Sequence, residues 1–149
     1  MPTILAGYED VVAGLEETLA GLPGMIVGID GRDGVGKTTL GRYLAWHFNI
    51  SLVETDLFLD GTKESGYDLD RLRSVIERRL AMPRPVLVDG ICLLELFKHL
   101  GKASDVLVHV WNTQHPGSDA LAARLDAYED RYEPAAVAQY EVVLDDCGS

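Results

Sequence analysis

The stretch from Met25 to Thr39 constrains this chain more than any other. It opens as a short apolar run, Met-Ile-Val-Gly-Ile, of the kind that forms a strand buried on both faces. It closes on a match to G-x-x-x-x-G-K-S/T at Gly31, Gly36, Lys37 and Thr38, the pattern of a phosphate-binding loop between a strand and a helix. A triphosphate must be wrapped by backbone N–H groups at close range, so Gly31, Gly34 and Gly36 supply turns and approaches that a Cβ would block. A helix starting near Lys37 aims its positive end at the same oxygens. Lys37 adds a mobile charge near the β and γ phosphates, and the Thr38 hydroxyl is placed to ligate Mg²⁺. Nucleotide contact is therefore expected along Gly31, Arg32, Asp33, Gly34, Val35, Gly36, Lys37, Thr38 and Thr39.

A chain of 149 residues with 47% hydrophobic content suits one globular domain spanning 1–149. The formal net charge of −11 disfavours a nucleic-acid backbone or an anionic membrane as the main partner. It leaves ATP open, because a local nest of N–H groups with a lysine and Mg²⁺ is positive inside an acidic protein. Cys92 and Cys147 belong to no metal or redox pattern and read as free thiols, and His47, His99, His109 and His115 lack metal-ligand spacing. The acidic N-terminus is unlike a secretory signal and no apolar run has the length of a membrane span, so the expected location is the cytoplasm.

The remaining pattern alternates strands and helices. Helical spacing covers residues 8 to 21, about 37 to 48, Leu69 to Leu80, Leu93 to Leu100 and Leu121 to Tyr132, with Asp68 as an N-cap and Pro134 interrupting or restarting the last helix. Apolar runs at 25–30, 51–55, 86–88, 106–111 and 141–144 read as strands. Such alternation predicts right-handed βαβ units and a parallel sheet with helices on both faces, an α/β three-layer αβα fold. Ligands in such sheets gather beyond the carboxyl ends of the strands, where the loop, Asp56 and Asp89 all fall. A carboxylate there can hold Mg²⁺, and another can accept the proton of an attacking hydroxyl.

At these residues the chain resembles a family. Gly-Ile-Asp-Gly-Arg-Asp-Gly-Val-Gly-Lys-Thr-Thr-Leu (28 to 40), Thr-Asp-Leu-Phe-Leu (55 to 59), Tyr-Asp-Leu-Asp-Arg-Leu (67 to 72) and Val-Leu-Val-Asp-Gly-Ile (86 to 91) look like successive blocks of the uridine kinase-like P-loop kinases. The resemblance implies a P-loop NTPase fold with strand order 2-3-1-4-5 and transfer of phosphate from ATP, with Mg²⁺, to a hydroxyl of a small molecule. It also implies Asp56 as general base, a metal role for Thr38, Asp56 and Asp89, and an α-phosphate contact for Thr39.

Two segments depart from the family pattern. The nucleoside-gripping hairpin shrinks to about Ala81 to Arg84, and the lid after the fourth strand keeps only Arg124 and Arg131. Candidate cations for the transferred phosphoryl group are then Lys37, Arg124 and Arg131, with Arg32 and Arg42 as further possibilities. Lys63 and Glu64 are placed to face the acceptor, and Thr55-Asp56 also resembles shikimate and gluconate kinases, which take compact acceptors. The Asp130-Arg131-Tyr132 triplet resembles a thymidylate kinase motif, but it follows a helix and is read as coincidence. The alternatives are a nucleotide-binding or regulatory module with weak or no transfer, and a slow hydrolase.

Overall fold

A computed structural model describes residues 7–145. Cys147 lies outside the described residues. The elements run α1 (Tyr8–Thr18), β1 (Ile26–Gly31), α2 (Lys37–Phe48), β2 (Ser51–Glu54), α3 (Leu69–Ala81), β3 (Val86–Gly90), α4 (Leu93–Leu100), β4 (Val106–Asn112), α5 (Ala122–Tyr132) and β5 (Tyr140–Leu144). All five strands are parallel, in the order β2-β3-β1-β4-β5, as the resemblance implied.

Alternation along β1 divides the core. Val27 and Ile29 face the layer of α1 and α2, where they meet Leu15, Leu40 and Leu44. Ile26 faces the opposite layer, packing with Leu72 and Ile76 of α3 and with Leu93 and Phe97 of α4. Burying each such side chain contributes about 1.5–3 kcal/mol, so the two apolar faces outweigh the weak intrinsic preferences of the short helices. Asp68 caps α3 by accepting the Arg71 N–H at 3.2 Å. Among the described residues no helix is long and apolar enough to cross a membrane.

Several boundaries differ from expectation. β2 stops at Glu54, and Thr55–Phe58 forms a single 3₁₀ turn, so Asp56 sits in that turn and not directly at a strand end. β3 continues through Asp89 to Gly90, because Asp89 pairs in register with Ile29 and Glu54. α1 ends at Thr18, where the Thr18 hydroxyl bonds back to the Gly14 carbonyl oxygen. After α5, Pro134 starts a new helical turn at Pro134–Val137.

Candidate functional site

β1 delivers Gly31 to the carboxyl edge of the sheet, and residues 32–36 turn into α2. A Cβ at Gly31 would stand 2.6 Å from the Val110 carbonyl oxygen, so only glycine lets β1 leave this close to β4. Gly36 precedes α2 in the left-handed region at φ 108° and adds no side-chain cap, which leaves the first turn of α2 without a competing polar group. The loop is braced from below, with Asn112 Nδ2 donating to the Val35 carbonyl oxygen at 3.3 Å.

Lys37 is 8% exposed and its Nζ donates to the Arg32 carbonyl oxygen at 2.6 Å, so the side chain lies back across the loop. Burial pulls its pKa down, and the Asp30, Asp89, Asp33 and Asp56 carboxylates oppose that pull. Thr38 Oγ1 donates to Asp89 Oδ2 at 3.2 Å, joining the first turn of α2 to the end of β3. Burial pushes the Asp89 carboxyl up to about 6, against the Thr38 hydrogen bond and with a further push from Glu54.

This hydroxyl–carboxylate pair fits magnesium. Both donors are oxygen, and Mg²⁺ takes one or two protein oxygens and completes its shell with phosphates and water. Among the described residues no group of three or more His, Cys, Asp or Glu side chains is placed to hold a metal ion. Asp56 is exposed and lies close enough to Lys37 and Asp89 to influence both electrostatically.

The other expected cations divide. Arg124 is exposed and lines a cavity of about 800 Å³ with Lys63, Glu64, Tyr67, Asp68, Asp70, Cys92, Glu95 and His99. Arg131 instead lies over the Tyr132 ring, 5.6 Å from its centroid, and does not line that cavity. Arg42 pairs with Glu54 at 3.4 Å, and Arg32 is held by Asp126 and Glu129 of α5. Asp56 is not among the cavity's lining residues, although it lies near Tyr67, which is. Cys92 is buried and its thiol is pushed up to about 11, mainly by that burial, which makes it a wall and not a nucleophile.

One support beneath the loop was not anticipated. Asp30, 1% exposed, accepts from the Leu93 N–H at 3.0 Å and from His109 Nδ1 at 3.1 Å, so one carboxylate ties β1 to α4 and β4. The Tyr128 hydroxyl accepts from the Leu94 N–H at 3.1 Å, and burial with Asp30 nearby holds its pKa far above the ordinary range. The signal was present in the sequence. An acid in an apolar strand and a histidine in another are the two polar residues that such strands cannot bury unpaired.

No protein-family model matches the chain, and no curated protein matches it. Solved structures do. A possible uridine kinase from Bacillus stearothermophilus superposes with a TM-score of 0.57 at 17% identity, covering 91% of this chain and 98% of its own. A sugar kinase from Janibacter sp. HTCC2649 gives 0.55 at 18% identity, over 83% of this chain and 86% of its own. A shikimate kinase from Acinetobacter baumannii in complex with shikimate gives 0.53 at 18% identity and covers 88% of each chain. The chain thus has the P-loop kinase-like fold, and at these identities the likeness concerns the fold alone.

Proposed function

We propose that this chain is a phosphotransferase that moves the γ-phosphoryl group of Mg·ATP to a hydroxyl of a small molecule. The observation that carries the reading is the conjunction at one sheet edge of a buried Lys37 on a glycine-built loop, the Thr38–Asp89 contact, and an open cavity lined by Arg124. In-line phosphoryl transfer asks for positioning and charge stabilisation more than covalent chemistry, and this arrangement offers both.

In this reading residues Gly31 to Thr39 seat the nucleotide through backbone N–H groups, Lys37 exchanges the Arg32 carbonyl for phosphate oxygen, and Thr38 with Asp89 would hold Mg²⁺. When bound, that ion supplies charge neutralisation at the phosphate oxygens. Asp56, exposed at the start of the 3₁₀ turn, accepts the proton of the acceptor hydroxyl. Arg124 offers positive charge from the cavity wall, and Arg131 has the weaker claim because its guanidinium is seated on Tyr132. The cavity also carries Glu64, Asp68, Asp70 and Glu95 against Lys63 and Arg124, which suits a neutral or amine-bearing hydroxyl compound better than a phosphorylated one.

The test is ADP release stimulated by acceptors drawn from neutral, amine-bearing and acidic hydroxyl compounds, in Mg²⁺. Release above the acceptor-free rate, lost in Lys37→Ala, supports the reading. One observation favours a second reading, a nucleotide-binding module without transfer: Asp56 does not line the cavity. Calorimetric binding of Mg·ATP without stimulation by any acceptor would select it, and phosphate release indifferent to acceptors would select a hydrolase.

A further inference from the structure

Arg32 and Asp33 occupy variable positions of the phosphate loop, yet their side chains engage the segment that follows β4. Arg32 Nε donates to Glu129 Oε2 at 2.9 Å, and its Nη2 donates to Glu129 Oε1 at 2.7 Å and to Asp126 Oδ1 at 2.5 Å. The fork to Glu129 is the stronger half, because both side chains are largely buried, at 19% and 23% exposure, whereas Asp126 is 64% exposed. Asp33 accepts the Ser118 N–H with both carboxylate oxygens, at 3.2 and 3.1 Å. Just before it, Gly117 adopts φ 103° and packs so closely that a Cβ there would stand 3.1 Å from Arg32 Cβ.

Two fastenings therefore join the loop to both ends of the segment from Gly117 to Glu129. The backbone of Arg32 is gripped as well, since its carbonyl oxygen receives Lys37 Nζ. Two residues before Asp126, on the same helix, Arg124 faces the cavity. We infer that Arg32 and Asp33 are positioning residues, a latch that seats α5 on the phosphate loop and thereby holds Arg124 at the acceptor cavity. The latch itself stands on these contacts, while its consequence for transfer rests on the proposed activity.

The fork requires a planar guanidinium at residue 32, since lysine presents a single point charge. Breaking the latch from the α5 side leaves the phosphate loop's own sequence untouched. In the nucleotide-free protein, Asp126→Asn with Glu129→Gln is expected to speed hydrogen exchange of the amides of residues 122–132 by about tenfold or more, while those of β1 and β3 stay protected. Arg32→Lys should fall between that variant and the parent. Mg·ATP affinity by calorimetry should stay within about threefold in the α5 variant, while the kcat for acceptor-stimulated transfer falls by about tenfold with the KM for ATP little changed. Unchanged exchange in the α5 variant would overturn the latch, as would an Arg32→Lys variant whose Mg·ATP affinity falls by the same factor as its kcat, which would make Arg32 a phosphate ligand. If the parent transfers phosphate to nothing, the proposed activity fails while the exchange experiment still decides the latch.

Discussion

Around Lys37 the polar groups are buried and committed: Nζ to the Arg32 carbonyl oxygen, Thr38 to Asp89, Asp30 to Leu93 and His109. Around the cavity, Lys63, Glu64, Glu95 and Arg124 make no ion pairs among the described residues, and all but Glu95 are exposed. The first region is built mainly from backbone and is stiffened by strands on both sides. The second is built from side chains on loops and on three helices, α3, α4 and α5. A site for a fixed ligand part such as a phosphate chain can be made from main-chain geometry, whereas a site for a particular small molecule must be made from the side chains that distinguish it.

The contrast can be broken at its strongest point. Lys37→Ala should lower acceptor-stimulated ATP turnover by about 10³-fold, because it removes the cation that the proposed reading assigns to the β and γ oxygens. A loss under tenfold would move the donor site elsewhere. Next in size, Asp56→Asn should lower transfer by about 10²-fold or more while Mg·ATP affinity by calorimetry changes little, as the proposed base role toward the acceptor hydroxyl requires. Equal losses in both would assign Asp56 to nucleotide binding.

Asp89 sharpens the comparison because its burial opposes its charge. Its carboxyl is pushed up to about 6, above the unfolded value near 3.9, so the native state binds the proton more tightly than the unfolded chain. The stability associated with that proton is fully present below about pH 4 and is lost as pH rises through 6. In nucleotide-free protein at pH 8, Asp89→Asn should therefore raise unfolding free energy by up to about 2–3 kcal/mol, a gain that vanishes at pH 4, while weakening Mg·ATP binding. Denaturant melts at the two pH values check it, and a variant less stable at pH 8 would contradict it. The smallest effect belongs to the cavity, where Glu64→Gln should change the KM for an acceptor by less than about threefold, because an exposed charge in water acts weakly.

Legibility in the sequence follows the same division. The loop, the strands and the helix faces could be read because period and glycine spacing act locally, and the α3 stripe of Leu72 and Ile76 fell where the spacing placed it, whereas the sheet order came from the family resemblance. Arg32 could not be read. Its position suggested a phosphate ligand, and only folding brings Asp126 and Glu129, more than ninety positions away, against its guanidinium. Asp89 was legible as a carboxylate at the right edge but not as a buried one, because β3 is buried along its whole length and its end beyond Val88 was not readable. Asp56 was placed at a strand end when a 3₁₀ turn carries it, since Thr55 is drawn inward to 1% exposure and bends the chain there.

The hydrogen bond from Lys37 to the Arg32 carbonyl oxygen ties the first residue of α2 back to the loop it follows. In the proposed reading, a polyphosphate would meet a loop part of whose ordering entropy has already been lost. Its binding would then be a substitution, one oxygen acceptor for another. A neutral ligand would gain little over the carbonyl it displaced and a multiply charged one much, so under the proposed activity this lysine would grade ligands by charge.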